Sequence, residues 1–115
     1  MSYASDIVRD GDRARQAADV LRAVAHPVRL RIVAMLCDGD ANVGEMARAI
    51  GASQATVSQQ LRILRMHGLV GATRANGFAR YRLEEPALRD LTRCVEHCEG
   101  GRAPRSGTLL EAEGS

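Results

Sequence analysis

The segment Cys94-Val95-Glu96-His97-Cys98 carries two thiols four residues apart with an imidazole beside them. Residues four apart on a helix share a face, with Cβ atoms about 5–6 Å apart, so Cys94 and Cys98 can grip one ion between them. Two thiolates favour a soft, thiophilic ion such as arsenite, Cd(II) or Zn(II), and an imidazole from His97 shifts the preference toward Zn(II) or Ni(II). Third and fourth ligands then have to come from Cys37, His26, the N-terminal segment or a second copy of the chain. The same residues have a plainer use. Ala87, Leu91, Cys94 and Cys98 recur at i, i+4, i+7 and i+11, the pattern of an apolar packing stripe, and a free thiol packs as a small apolar side chain. Cys37 likewise completes an apolar stripe.

A second group of residues has a different chemistry. Ser53-Gln54-Ala55-Thr56-Val57-Ser58-Gln59-Gln60 opens a helical stretch whose outward face is small or amide-bearing. Gln can bond adenine in two places, Ser and Thr reach base or phosphate, and Ala or a Thr methyl meets the thymine methyl. Arg62 and Arg65 follow one to two turns later, where phosphate and not base is within reach. Arg74 and Arg80 flank Asn76-Gly77, a basic tip suited to the duplex backbone or minor groove. A capped polar helix and a solvated turn explain each residue singly. They do not explain why Arg48, Arg62, Arg65, Arg74, Arg80 and Arg82 all fall between Glu45 and Glu84, where no acidic side chain occurs. Such a stretch is the footprint of a face that meets a polyanion.

The whole-chain figures hide this. The 115 residues carry a net charge of +2, and all 16 basic residues are Arg, whose planar guanidinium suits bidentate phosphate and guanine contacts. From Arg22 to Arg82 nine Arg face only Asp38, Asp40 and Glu45, whereas residues 1–21 and 83–115 are each mildly acidic. The length allows one domain and excludes a large multi-domain enzyme. No run approaches the ~18 apolar residues of a membrane span, and Met1 to Gln16 lacks the apolar stretch of a signal peptide, so a cytoplasmic protein with no membrane partner is expected. Three Cys in a reducing compartment argue against a disulfide framework. One Phe, two Tyr and no Trp leave few platforms for stacking single-stranded bases. No Ser/His/Asp set, phosphate-cradling Gly loop, paired catalytic carboxylates or CxxC is present, so an enzyme is not expected.

These groups need elements to hold them. Residues 1–11 read as a flexible arm and 100–115 as a disordered tail, leaving one domain at 12–99. A first helix fits Asp12 to Ala25, with Ala14, Ala17, Ala18, Leu21, Val24 and Ala25 on one face. A second starts at Pro27 and runs to Cys37, with Leu30, Val33, Ala34 and Cys37 as its buried stripe. Asn42 caps a short third helix from Val43 to Ile50, Gly51 stops it, and Ser53 caps a fourth running to about His67 with Val57, Leu61 and Leu64 inward. His67 is a C-cap or phosphate neighbour. Two segments, 69–75 and 78–83, meet at Asn76-Gly77, the dipeptide of a tight hairpin turn. A fifth helix fits Ala87 to about Glu99. The class is mainly α with a small β-hairpin, and the order of helix, helix, short helix, helix, hairpin, helix is that of a winged helix-turn-helix, which reads duplex DNA with the second helix of its pair.

Several stretches resemble the ArsR/SmtB family of bacterial repressors. They are Ala25-His26-Pro27-Val28-Arg29-Leu30-Arg31-Ile32, Val43-Gly44-Glu45-Met46-Ala47, Ser53 to Leu64, Gly68-Leu69-Val70 and Tyr81-Arg82-Leu83, within residues 15–98. The resemblance implies a homodimer joined through the first and last helices and bound to an inverted-repeat operator until an inducer releases it. Family inducers are metal ions, arsenite-like metalloids or, in one branch, reactive sulfur species that link two Cys. One family site, Cys-x-Cys at the start of the third helix, is replaced here by Asn42-Val43-Gly44. Of another, on the last helix, Glu85 can stand for the Asp and Cys98 falls near a later ligand, but Ala87 replaces the first His. Induction therefore rests on Cys94 and Cys98, with His97 and Cys37 as further candidates. The reactive-sulfur alternative pairs Cys37 with Cys94 or Cys98, although Cys37 lies about one turn later than in that branch. A winged helix serving only protein contacts is the alternative of another class.

Overall fold

Pro27 sits at the first position of the helix around which the others are arranged. In the computed structural model, which describes residues 6–98, that helix is α3 (Pro27–Cys37), preceded by α1 (Asp6–Arg9) and α2 (Gly11–Val24). His26 is its N-cap, and His26 Nδ1 accepts the Val28 N–H at 3.1 Å. The missing N–H of proline costs nothing in a first turn. The buried residues of α3 are Ile32, Val33 and Leu36. Of the expected stripe only Val33 is buried, while Leu30, Ala34 and Cys37 are half-buried. The reason is position: α3 packs against α2, α4, α5, α6 and β2, so apolar contact runs around the helix and not along one side.

Part of the N-terminal segment that reads as an arm is helical. Residues 6–9 form α1, and the Asp10 side chain caps α2 by accepting the N–H groups of Asp12 at 2.9 Å and Arg13 at 3.4 Å. Carboxylates of this segment pair with its own arginines: Asp6 with Arg9 and Arg13, Asp12 with Arg15, and Asp19 with Arg22. Exposed pairs of this kind stabilise little, but they cancel the local charge. Along α2, Ala23 and Val24 are buried and Ala17 and Ala18 half-buried, whereas Leu21 and Ala25 of the expected face are exposed. The remaining parts of the arm and tail, residues 1–5 and 99–115, lie outside the described residues.

The next elements follow their local signals closely. Helix α4 (Val43–Ile50) begins with a reciprocal cap in which Asn42 Oδ1 accepts the Glu45 N–H at 2.8 Å and Glu45 Oε1 accepts the Asn42 N–H at 2.8 Å. It ends at Gly51, whose φ of 77° lies in the left-handed region that favours glycine. Helix α5 (Gln54–Met66) starts after Ser53 and buries Val57, Leu61 and Leu64, with His67 as its exposed C-cap. Strands β1 (Val70–Ala75) and β2 (Phe78–Leu83) pair antiparallel, Ala75 facing Phe78 across a two-residue turn with φ of 54° at Asn76 and 82° at Gly77.

The wing is tied to the helical body by a link that no sequence pattern announces. Ala41 and Tyr81 exchange two backbone hydrogen bonds, 3.1 Å from the Ala41 N–H and 2.8 Å from the Tyr81 N–H, making a one-residue third strand. Arg80 adds a bond to the Asp40 carbonyl at 2.7 Å and a contact with Glu45 at 3.6 Å. The last helix, α6 (Ala87–Glu96), buries Leu88 and Thr92 and ends three residues short of expectation, leaving Cys98 beyond its C-cap His97.

Replacing Asn42 by Ala removes one half of the reciprocal cap and leaves the Glu45 backbone N–H without its acceptor. The variant should lose about 1 kcal/mol of unfolding free energy while keeping its helical circular dichroism, measured by urea titration.

Candidate nucleic-acid interface and thiol positions

Burial of Val57, Leu61 and Leu64 fixes which side of α5 faces outward. Gln54, Ala55, Ser58, Gln59, Arg62 and Arg65 are exposed, and Thr56 is half-buried. Ser53 is occupied as the cap: its Oγ accepts the Thr56 N–H at 3.0 Å and its hydroxyl donates to Thr56 Oγ1 at 2.9 Å. The Thr56 hydroxyl hydrogen is thereby left to donate elsewhere. Gln60, grouped with the outward residues from its sequence position, turns to the body of the protein. Its Oε1 accepts from Arg29 Nη1 at 2.7 Å, and Arg29 Nε donates to the Ala23 carbonyl at 2.5 Å, so one guanidinium joins the end of α2 to α5.

The arginines of the acid-free stretch divide in two. Arg80 is held by Asp40 and Glu45, and Arg82 by Thr73 Oγ1 at 2.6 Å and Glu84 at 3.2 Å. No side-chain hydrogen bond or ion pair occupies Arg48, Arg62, Arg65 or Arg74 among the described residues. These four line two clefts on either side of α5. One, between α5 and β2, is lined by Ser58, Arg62, Arg65, Met66 and Tyr81. The other, between α4, the start of α5 and the wing, includes Arg48, Gln54, Arg74 and Phe78. Neither cleft has a carboxylate in its lining. Spacing around α5 does not single out Arg48 as part of this surface, because it precedes that helix in sequence and joins it only in space. Asn76 stands exposed at the wing tip.

The thiols are split between two sides of α6. Cys37 lies on the seam between α3 and α6, with Sγ 3.9 Å from the Thr92 hydroxyl, in a polar cleft it shares with Asp38, Arg89, Arg93, Glu96 and His97. Cys94 is two residues from Thr92, about 200° around the helix, and is exposed. Cys98 is also exposed, outside the helix. The structure therefore brings Cys37 and His97 to one cleft and leaves Cys94 and Cys98 exposed at the C-terminal end of α6. Among the described residues of one protomer no three His, Cys, Asp or Glu side chains gather to hold a metal ion. No described helix is long and apolar enough to cross a membrane.

A further surface is apolar. Ile7, Ala17, Val20 and Leu21 of α1 and α2 and Ala87, Leu88 and Leu91 of α6 line a groove, with Ile7 and Leu21 respectively 53% and 50% exposed. It includes the two helices, α2 and α6, that the family resemblance assigns to the dimer, together with α1.

Comparison with known proteins places this geometry. The model of the family described as bacterial regulatory protein, arsR family, matches residues 26–71. A biofilm growth-associated repressor from Xylella fastidiosa is 40% identical over 83 residues, covering 72% of this chain and 73% of the relative. The crystal structure of the transcriptional repressor BigR from Xylella fastidiosa superposes with a TM-score of 0.71 at 38% identity, over 76% of this chain and 92% of that one. The homodimeric winged helix-turn-helix DNA-binding domain of Mb0332 from Mycobacterium bovis superposes with a TM-score of 0.65 at 31% identity, over 84% and 87%. With sequence likeness of this extent and the winged fold in common, the chain belongs to the arsR family of bacterial regulatory proteins, as a winged helix-turn-helix transcriptional repressor and not an enzyme.

Proposed function

We propose that two copies of the chain join through α2 and α6, set α5 of each into successive major grooves of an inverted-repeat DNA duplex, and release it when an inducer reaches the thiols of Cys94 and Cys98. The observation that carries the DNA half is the set of four unpaired guanidiniums, Arg48, Arg62, Arg65 and Arg74, around a reading face that is itself uncharged from Gln54 to Gln59. Gln54, Ala55, Thr56, Ser58 and Gln59 supply the base-facing edge and the arginines supply phosphate contacts. Two reading helices about 34 Å apart meet successive major grooves on one side of the duplex. The half-exposed apolar groove of α1, α2 and α6 supports the dimer face.

The sensing half rests on chemistry and position. Cys94 and Cys98 are exposed thiols at the end of the helix that lends Ala87, Leu88 and Leu91 to the apolar groove. Two thiolate donors per protomer suit arsenite, Cd(II) or Zn(II), and the donors that one protomer lacks would come from the second copy or from His97. Binding at this end favours one relative setting of the protomers over another, and a coupling of about 1–3 kcal/mol between the two sites weakens the operator complex 5- to 150-fold. A reactive-sulfur reading uses Cys37 instead. Because Cys94 points away from the Cys37 seam, Cys98 is the partner that this alternative favours.

Two outcomes test the proposal. Replacing Arg62 and Arg65 together by Ala should weaken binding to an operator duplex and flatten its salt dependence, whereas Arg80→Ala should leave the salt slope unchanged and instead cost about 1 kcal/mol of stability. A protein whose affinity for duplex DNA does not depend on salt is not an operator-binding repressor of this kind. Cys94→Ser and Cys98→Ser should bind operator as the parent does but fail to dissociate on adding arsenite, Cd(II), Zn(II) or Ni(II), followed by fluorescence anisotropy. Release by a persulfide donor that is lost only in Cys37→Ser and Cys98→Ser would replace the metal reading with the reactive-sulfur one.

A further inference from the structure

The cleft between α4, the start of α5 and the wing contains a convergence of donors. A Cβ built on Gly44 would stand 3.4 Å from Asn42 Oδ1, which is taken up by the Glu45 N–H, 3.5 Å from Arg48 Nη1 and 3.8 Å from Gln54 Nε2, so a guanidinium from α4 and an amide from α5 overhang the same point of the α4 backbone. Arg74 reaches the same cleft from β1, on the strand face it shares with Ala79, Ala72 and Tyr81. Phe78, 66% exposed, stands at its wing side as apolar surface. Three donors from three elements, two of them cationic, line one cleft with no carboxylate in the lining and no internal partner for either guanidinium. Such an arrangement is complementary to a tetrahedral oxyanion with several acceptor oxygens.

We infer that this cleft is the seat of one DNA backbone phosphate per half-site, held by Arg48, Arg74 and Gln54, with Phe78 against the adjoining deoxyribose. The inference rests on the operator-binding reading above and changes the part played by one residue in it. Gln54 heads the reading helix, but its amide is directed over Gly44 beside Arg48 and serves the backbone. Base discrimination then falls to Ala55, Thr56, Ser58 and Gln59. The two-element grip also fixes where the wing stops along the duplex, because α4 and β1 must hold the same phosphate.

The test uses the full-length protein and a duplex recovered by selection from a random-sequence pool, together with single-base variants of that duplex. Arg48 and Arg74 are exposed and bond to nothing internal, so Arg48→Ala and Arg74→Ala should keep the parent's melting temperature. Each should lower the slope of log affinity against log salt by about 1.8 per dimer, two contacts at about 0.9 each, and weaken all duplexes by a common factor. Gln54→Ala, which removes no charge, should weaken all duplexes by a common factor with the slope unchanged. An unchanged slope for either arginine variant overturns the phosphate seat while leaving operator binding intact. Relaxed discrimination at one base pair in Gln54→Ala overturns the assignment of Gln54 to the backbone. If the parent protein selects no sequence and its affinity does not vary with salt, the operator reading fails and the seat with it.

Discussion

Two hydrogen bonds between Ala41 and Tyr81 decide where the wing lies. A two-stranded hairpin is marginal by itself and free to swing on its connections. Ala41 gives β2 a third, one-residue neighbour that belongs to the α3–α4 connection, and Arg80 reinforces it from the side chain through the Asp40 carbonyl and Glu45. Glu45 closes the α4 cap as well, so the start of α4 and the middle of β2 share one carboxylate. The cleft with Arg48, Gln54 and Arg74 exists because α4 and the wing are held together at this point.

Charge is distributed by the same logic. Three of the four acids of residues 6–22, Asp6, Asp12 and Asp19, pair with arginines of the same segment, and the fourth, Asp10, caps α2. Arg80 and Arg82 are matched inside the wing. Arg48, Arg62, Arg65 and Arg74, around α5, have no such partner among the described residues, and Arg31 of α3 and Arg89 and Arg93 of α6 are likewise unpaired. A net charge of +2 on the whole chain thus conceals an acid-free stretch of arginines between Glu45 and Glu84. Arg29 has a different use again, since it is half-buried and joins the Ala23 carbonyl to Gln60. Through it α2 and α5 meet at one side chain.

Signals confined to one turn of chain are legible in the residues themselves. Asn42 and Glu45 form the reciprocal cap, Gly51 and Gly68 take positive φ, Ser53 caps α5, and Asn76-Gly77 makes the hairpin turn, each from interactions within a few residues. The amphipathic pattern of α5 likewise marks Val57, Leu61 and Leu64 as its inner face. Three features that depend on neighbours depart from the local pattern. The stripe of α3 is broader because five elements surround it, the segment before Asp10 forms α1, and α6 stops at Glu96, so Cys94 and Cys98 do not share one continuous helix.

Residue types and their order are enough to establish the winged helix-turn-helix, the acid-free arginine stretch and the presence of three thiols, since each is written in composition or in spacings of four residues or fewer. Which arginines stay free and which thiol meets which cleft depended on the assembled fold. Gln60 is removed from the outward face by Arg29, 31 residues earlier, and Arg80 from the wing surface by Asp40, 40 residues earlier. Pairings over such separations carry no periodicity for the sequence to display, and they form only once packing has brought the chain segments together. The division of Cys37 from Cys94 has the same origin. Their neighbours on α6 are about 200° apart around an axis whose orientation the burial of Leu88 and Thr92 determines.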